Sequence, residues 1–515
     1  MGATAGNGGS SFAPPTRGGW KLYLGVFGPL VILYSLTAQR GAAWQDSGCF
    51  QWRIVNFDVA GELGLALSHP LVIVLGRALS VLPLGPLAWR MNLVSVLAAA
   101  AAAANVSLLV RRLMPRRPMA AWLAGGFFGL AHTAWWLGTI CESQALLAAL
   151  FTAQLHVLVS LSKRPGTGLV SVLGLLSGLA LAAHNLALLA LPACFAMTLH
   201  LCFRRRLPWR AVPWFVASWL IGAGGLVAIV IWKASEWGLA AAIRSALFGG
   251  TERGGGWRNE VLCGSGRAFV MGLGYILYNF PNLALPLMIA GLWRVCRQFP
   301  ACLAWAFVYL VSIYFLFAVR YGVADQFMFF LPFYAMVAVL AGVGLGHLVG
   351  RRRRAWLVVA AVLSLAATPA VYAAAPLALR AFHLRLPGRA DLPFRDPAIY
   401  WLLPWKGGES SAQQFARSAL RQVPPGGVII ADGTGFYPLV FVQRAEETTG
   451  DVRILRNDQA AADRVWPGTP NVFVVSDRKG YHPAWLEGQC TFRKGDAEVL
   501  FRVDWQTPST APHGP

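Results

Sequence analysis

One acidic residue, Asp46, follows the first long apolar run of the sequence within the polar stretch 44–49. A carboxylate at the membrane–water boundary can be partly desolvated, which raises its pKa and suits a general base. A solvated loop carboxylate is the alternative interpretation. Asp58 and Glu62 are spaced i and i+4, which predicts that they share the wet face of an interfacial helix.

Three segments combine a histidine with a nearby carboxylate or amide. Ionisable side chains at membrane depth are costly and usually face a cavity, so these segments are predicted to contribute to a binding site. Alternatively, the tryptophan pair forms an interfacial belt and a single histidine caps or packs a helix. The candidate binding residues here are His69, His132, Trp135, Trp136, Glu142, His184 and Asn185.

Further candidates lie near a proline break and beside two later apolar runs. They are Tyr278, Asn279, Arg267, Arg320, Asp325 and Gln326. An arginine at a helix end can hold a phosphate through two parallel hydrogen bonds. Each of these arginines could equally extend toward lipid headgroups.

The elements that must position these residues are apolar helices. Of 515 residues, 56% are hydrophobic and 13% are charged, whereas a soluble chain usually carries about 25% charge. Disorder is therefore excluded and a polytopic membrane protein is predicted. Residues 69–87 are interpreted as a re-entrant or interfacial segment. Eleven spans are predicted near 20–38, 88–110, 119–139, 143–162, 168–184, 186–203, 211–232, 268–296, 301–319, 326–349 and 355–375, with a break of the span 268–296 at 279–281 as the alternative.

The charge of the connections differs from one connection to the next, so that they form two alternating sets. One set holds eighteen basic residues and no acidic residue, and the positive-inside rule makes it cytoplasmic. All eight carboxylates before residue 376 fall in the opposite set, where chemistry is therefore predicted. The net charge of +22 thus reflects membrane orientation, and no nucleic-acid partner is predicted. Membrane lipids are the predicted surroundings, with the N-terminus cytoplasmic.

The sequence divides into three predicted regions. Residues 1–19 form a disordered cytoplasmic N-terminus, 20–375 form the transmembrane domain with a first outer loop at 39–87, and 376–515 form a soluble outer domain. In this tail, strands are predicted at 427–431, 452–455, 471–475 and 498–503, after a helix at 409–422. Asp432 begins a plain strand-to-helix turn, because the glycine fingerprint and lysine of a phosphate loop are lacking.

Metal and nucleotide motifs are lacking in the sequence. No metal-binding motif occurs, although the outer carboxylates and histidines could hold a divalent cation. No Walker motif occurs, which favours an activated donor that arrives in the membrane. Free thiols are expected, with a single bridge among Cys49, Cys263 and Cys490 as the alternative.

Ordered motifs resemble a bacterial family of polytopic proteins, formerly of unknown function, that is related to protein O-mannosyltransferases of the GT-C glycosyltransferase superfamily. The resemblance covers roughly residues 20–350. The motifs are Asp46-Ser47-Gly48, 64–70, Arg90-Met91-Asn92, His132-Thr133-x-Trp135-Trp136 with Glu142, 178–180 before His184-Asn185, 278–281, and Asp325-Gln326-Phe327.

The resemblance implies an all-α GT-C-like membrane fold with a small C-terminal α/β domain in the periplasm. It implies a glycosyltransferase that moves a sugar, mannose being one candidate, from a polyprenyl-phosphate donor to a hydroxyl of a protein, lipid or glycan. Asp46 would act as the base. The candidates to support the leaving phosphate are Arg90, His132, His184, Arg267 and Arg320, and Asn92 joins the binding set.

Two departures from the family pattern are present. Cys49 stands where relatives usually have glutamate, and 71–74 replaces a Pro-Gly-Tyr-Pro segment. The first departure would alter specificity or weaken activity if the glutamate is catalytic. The alternatives to an enzyme are a transporter of lipid-linked saccharides and a non-catalytic envelope-assembly protein. The Ala/Arg-rich composition favours a bacterial inner membrane.

Overall fold

Long apolar helices make up most of the chain before residue 382. The computed structural model describes residues 19–251, 256–262, 265–349, 355–384, 386, 392–446, 451–458, 465, 468–496 and 498–506. The predicted disordered terminus, apart from residue 19, and Cys263 lie outside the described residues. Within these ranges, eight helices are long and apolar enough to cross a membrane, or nine if one bent pair counts as a single span.

The helices follow one another with short connections. They are α1 (Gly19–Thr37), α2 (Gln45–Asn56), α3 (Pro70–Ser80), α4 (Leu87–Leu113), α5 (Pro118–Gly129), α6 (His132–Leu137), α7 (Ser143–Lys163), α8 (Thr167–Ala183), α9 (Leu191–Phe203), α10 (Ala211–Trp237), α11 (Leu239–Phe248), α12 (Arg258–Leu262), α13 (Gly266–Asn279), α14 (Ala284–Gln298), α15 (Ala301–Arg320), α16 (Leu331–Leu348) and α17 (Ala355–Ala381).

Every predicted apolar run is helical, although two of them are interrupted. The run 119–139 divides into α5 and α6, and the run 268–296 divides into α13 and α14, which meet at 100°. Short 3-10 turns at Asn185–Leu189 and Gln326–Phe330 precede α9 and α16. Helix α16 is central, since 94% of its apolar window is buried, whereas only 17% of that of α17 is buried. The apolar, exposed faces of the outer helices suit contact with lipid.

The first outer loop differs from its prediction. Helix α2 ends at Asn56 because Phe57 adopts a left-handed conformation, with φ of 52°. Asp58 and Glu62 therefore lie beyond the helix, and the prediction that they share a helix face is wrong. Asp58 Oδ1 instead accepts hydrogen bonds from the backbone of Ala60 and Gly61, and Glu62 pairs with Arg456 at 3.2 Å. Residues 70–80 form the short helix α3.

The tail forms a small sheet flanked by helices. After α18 (Pro397–Leu402) and α19 (Ser411–Gln422) come β1 (Val428–Ala431), α20 (Gly433–Ala445), β2 (Arg453–Arg456), β3 (Val472–Val474), β4 (Cys490–Arg493) and β5 (Phe501–Trp505). The strand order is β2-β1-β3-β5-β4, with β1 parallel to both β2 and β3 and the last two pairs antiparallel. Asp432 caps α20 by accepting from Thr434 N–H at 3.1 Å.

The tail packs on the first outer loop. Trp44, which is buried, donates from Nε1 to Ser411 Oγ at 2.7 Å, and its ring lies 5.2 Å from that of Phe415. Gly48 permits a close approach between α2 and α20, because a Cβ there would lie 3.2 Å from Tyr437 Cβ and 2.3 Å from Ala43 O. The start of α2 is thus held by the tail.

Candidate active site

Asp46 lies in the first turn of α2, directly after a strained residue. Gln45 has φ of 55°, a conformation that costs a non-glycine residue energy and often marks functional sites. The preceding turn is held by Gln51, whose Oε1 accepts from Ala43 N–H at 2.9 Å. The Asp46 side chain is exposed to solvent, yet protein surrounds it closely enough that burial raises its pKa. The carboxylate is therefore both accessible to a ligand and partly desolvated.

A second carboxylate, Glu142, lies within electrostatic reach of Asp46. It is 2% exposed, and its Oε1 accepts from Ser47 Oγ at 2.8 Å. Ser95 fixes its backbone, because Ser95 Oγ accepts from Glu142 N–H at 2.9 Å and donates to Glu142 O at 3.1 Å. Burial raises the pKa of Glu142 well above its usual value, and the charge of Asp46 raises it further. Sequence reasoning missed Ser47 and Ser95 as the residues that position Glu142.

A third carboxylate, Asp325, completes the group. Burial, followed by the charge of Asp46, raises the pKa of Asp325 to about 7. Asp325 also raises the pKa of Glu142. Three such carboxyls within electrostatic reach do not all ionise together near neutral pH, so one of them can take up a proton at little cost. Within the described ranges, no three His, Cys, Asp or Glu residues are placed to hold a metal ion together.

Two candidate histidines stack behind the first outer loop. The rings of His69 and His184 lie 4.8 Å apart with an interplanar angle of 17°. His184 Nδ1 accepts from Leu186 N–H at 3.0 Å, so it caps the turn that follows α8. Burial lowers the pKa of His69 well below its usual value, and Arg53 and His184 contribute. His69 therefore stays neutral at physiological pH.

His132 lies elsewhere, in an aromatic cluster. Its ring is 5.0 Å from Tyr278 and 5.4 Å from Tyr372. Asn279 Oδ1 accepts from Thr133 N–H at 2.8 Å, which secures the first turn of α6.

Four other polar candidates bind backbone carbonyls and so join the outer turns to one another. Asn92 donates to Gln39 O at 2.7 Å and Tyr278 donates to Leu402 O at 2.7 Å. Gln326 donates to Ala318 O at 2.8 Å, and Asn185 donates to Ala246 O. These contacts describe structural supports, and whether the side chains also bind substrate stays a prediction.

The three arginine candidates differ in their surroundings. Arg90 Nη1 donates to Ser80 O and Leu82 O, both at 2.6 Å, so it closes the turn between α3 and α4. Arg267 and Arg320 are exposed, at the start of α13 and the end of α15. The two exposed guanidinium groups are the better placed for a phosphate ligand.

The tail adds an aromatic and cationic cover that sequence reasoning missed. Trp136 is 2% exposed and stacks on Trp401 at 6.0 Å and 15°, so it does not belong to a lipid-facing belt. Trp135 lies 5.4 Å from Trp405. Lys406 Nζ lies 5.2 Å above the Trp136 ring. The three aromatic residues at 400, 401 and 405, followed directly by Lys406, are the signal that could have indicated this cover.

Lys406 makes docking of this cover depend on pH. Burial lowers its pKa to about 7, although Glu409 acts in the opposite direction. An undocked lysine has a pKa of about 10.4, so the undocked state binds more protons above pH 7. The contribution of Lys406 to stability is therefore expected to rise from pH 7 to 9 and to be constant below pH 7. Melting temperatures in detergent should show this slope in the wild type, and Lys406→Met should remove it.

The exposed Lys479 provides the control for this measurement. Lys479→Met should keep the wild-type slope between pH 7 and 9. Equal slopes in wild type and Lys406→Met would contradict the proposed titration.

Residues 46–206 match the family model described as the protein O-mannosyl-transferase TMEM260 N-terminal domain. The predicted relation to protein O-mannosyltransferases is confirmed. The match begins at Asp46 and includes Glu142 and His184. No curated protein matches the sequence at a significant level.

Two solved structures of ArnT from Cupriavidus metallidurans resemble the chain over nearly its whole length. The form bound to undecaprenyl phosphate has a TM-score of 0.60 and 14% identity, and covers 95% of this chain and 98% of that one. The apo form has a TM-score of 0.60 and 16% identity, with coverages of 94% and 97%. At these identities the likeness concerns the fold. The chain is a multi-pass membrane protein with a GT-C fold and a small C-terminal sheet domain, as predicted, while the number of crossings stays a prediction.

Proposed function

We propose that this protein is a membrane glycosyltransferase that uses a polyprenyl-phosphate-linked sugar, with Asp46 as the general base. The observation that carries the proposal is an exposed, partly desolvated carboxylate within electrostatic reach of Glu142 and Asp325. The relation to O-mannosyltransferases and the ArnT-like fold support the same class of reaction. The ArnT structure with undecaprenyl phosphate supports the class of donor, and mannose is one candidate sugar.

In the proposed reaction, Asp46 takes the proton from an acceptor hydroxyl as the hydroxyl oxygen attacks the anomeric carbon. The bond from that carbon to the phosphate oxygen breaks, and the polyprenyl phosphate leaves with the electron pair. The configuration at carbon inverts because attack and departure occur on opposite faces. Burial raises the proton affinity of the base, which favours this transfer near neutral pH. Arg267 and Arg320 are the proposed partners of the departing phosphate.

We place this reaction on the periplasmic face of a bacterial inner membrane. The one-sided distribution of carboxylates in the sequence supports that assignment. A strain that lacks the gene should lose one glycan or glycoprotein, which mass analysis would identify. The wild-type gene should restore it and the Asp46→Asn form should not. An unchanged glycan profile in the deletion strain would contradict the proposal.

The charge of Asp325 is expected to set the pH range of the reaction. Asp325→Asn removes a like charge near Asp46, so the pKa of the base falls and the acidic limb of the kcat/KM profile moves to lower pH. A pH series of sugar-transfer rates would measure the midpoint. Glu236→Gln is a suitable control, because Glu236 is partly exposed and pairs with the nearby Lys233. An Asp325→Asn variant with no activity at any pH would instead make Asp325 the base.

A further inference from the structure

A cavity lies at the end of the helix bundle opposite Asp46. It has a volume of about 410 Å³, and its walls include Met114, Arg116, Arg117, Arg294 and His347. Helix α4 begins beside the outer loops and ends at Leu113 in the cavity wall. At 1.5 Å per residue its 27 residues extend about 40 Å. The cavity is therefore separate from the proposed active site.

Helices α14 and α16 cross at two glycines, and this crossing places two of the wall residues opposite each other. A Cβ at Gly291 would lie 1.8 Å from Leu340 O, and one at Gly344 would lie 2.0 Å from Leu287 O. Helices α14 and α16 therefore touch backbone to backbone, as small residues permit in membranes. Arg294 and His347 each follow their glycine by three residues. Arg294 Nη1 donates to His347 Nδ1 at 2.8 Å, which orients the guanidinium.

The cavity wall contains both cationic and apolar residues. Three arginines line the cavity, and none of its described lining residues is acidic. Within the described part of the chain, Arg294 Nε is buried and has no hydrogen-bond partner. Met114 supplies an apolar wall, and the exposed Trp293 lies 5.5 Å from the His347 ring. Grouped cations with an unused buried donor favour an anion.

Arginines at this end of the bundle also have a simpler explanation. Cations stabilise helix C-termini and fix membrane orientation without any ligand. Arg297, in the last turn of α14, is exposed and fits that explanation. This simpler explanation does not account for a cavity between helices or for the buried Nε of Arg294.

We propose that this cavity binds the phosphate group of an anionic ligand, with Arg294, Arg116 and Arg117 as its cationic contacts. The guanidinium fork matches the geometry of phosphate oxygens. Basic pockets between membrane helices on the cytoplasmic side bind anionic lipid headgroups, and the volume suits such a group. A soluble phosphate offers the same chemistry, so lipid and free phosphate are the two sources to distinguish.

The test uses the full chain purified in detergent. Phosphatidylglycerol, phosphatidylcholine and inorganic phosphate are added separately, and retained lipid is measured by native mass spectrometry beside the melting temperature. We expect phosphatidylglycerol to bind and stabilise the wild type while phosphatidylcholine does not. Arg294→Gln should weaken the binding at least tenfold. Arg297→Gln, with the same charge change on the same helix, should bind like the wild type.

The outcomes separate the two sources. Stabilisation by inorganic phosphate alone, lost in Arg294→Gln, would assign the site to a soluble phosphate. Equal binding by Arg294→Gln and Arg297→Gln, or no effect of either anionic probe on the wild type, would overturn the proposal. Should Arg294→Gln fail to fold, the exposed Arg116→Gln variant provides the same comparison.

Discussion

Asp46→Asn is expected to lower kcat for sugar transfer by about 10²- to 10⁴-fold, the usual contribution of a general base. The carboxamide keeps the size of the side chain but does not take a proton from the acceptor hydroxyl. Burial raises the pKa of Asp46, so the ionised side chain is held at a cost in stability. We therefore expect the variant to melt at the same temperature as the wild type or higher, which separates lost chemistry from misfolding.

Glu236→Gln provides the matched control for this prediction. Glu236 is another outer carboxylate, it is partly exposed, and it pairs only locally with Lys233 at 2.7 Å. Membranes carrying each variant would be assayed with a polyprenyl-phosphate sugar and an acceptor. Glu236→Gln should retain wild-type turnover. Unchanged turnover in Asp46→Asn would eliminate Asp46 as the base.

Trp136→Ala is expected to destabilise the protein by about 3–5 kcal/mol, the usual cost of truncating a large buried aromatic side chain. The ring contacts two other parts of the chain. It lies 5.2 Å from Phe327, which is two residues after Asp325, and it stacks on Trp401 in the tail. Lys406 would lose the ring beneath its ammonium group. The cover formed by residues 400–406 should therefore detach before the membrane helices unfold.

Melting temperature in detergent and limited proteolysis would measure this effect. The Trp136→Ala variant should melt earlier, and a protease should release the tail at concentrations that leave the wild type intact. Trp214→Ala is the control, because Trp214 is 55% exposed on α10. A Trp136→Ala protein as stable as Trp214→Ala would contradict the assigned role.

The helices were predictable because about 20 consecutive apolar residues in a bilayer satisfy their backbone only as a helix. The break between α13 and α14 was indicated by Pro281, whereas the break between α5 and α6 was missed because Leu130 and Ala131 look as apolar as their neighbours. The i, i+4 interpretation of Asp58 and Glu62 was wrong because Phe57 ends α2. Strand β4 was missed because its sequence, with Thr491 and Arg493, has the polar character of an edge strand.

The carboxylates of the site could be predicted because acidic residues are scarce in the membrane portion of the sequence, where only eight precede residue 376. Asp46, Glu142 and Asp325 were candidates because each was predicted to lie on the outer side, and the structure places them within electrostatic reach of one another. His132 was grouped with them by predicted depth, and its ring packs against Tyr278 and Tyr372. The cover around Lys406 was missed because a lysine in a tail is ordinarily solvated, and only tertiary packing buries it.

The contact between α2 and the tail limits how this protein can be recombined. Trp44 bonds to Ser411, and Gly48 makes room for Tyr437, so the turn that bears Asp46 is shaped partly by residues some 370 to 390 positions later. The family match ends at residue 206 and excludes those partners. A chimera with a foreign tail would therefore need compatible residues at both contact points, and an exchange confined to the membrane helices would misplace its own base.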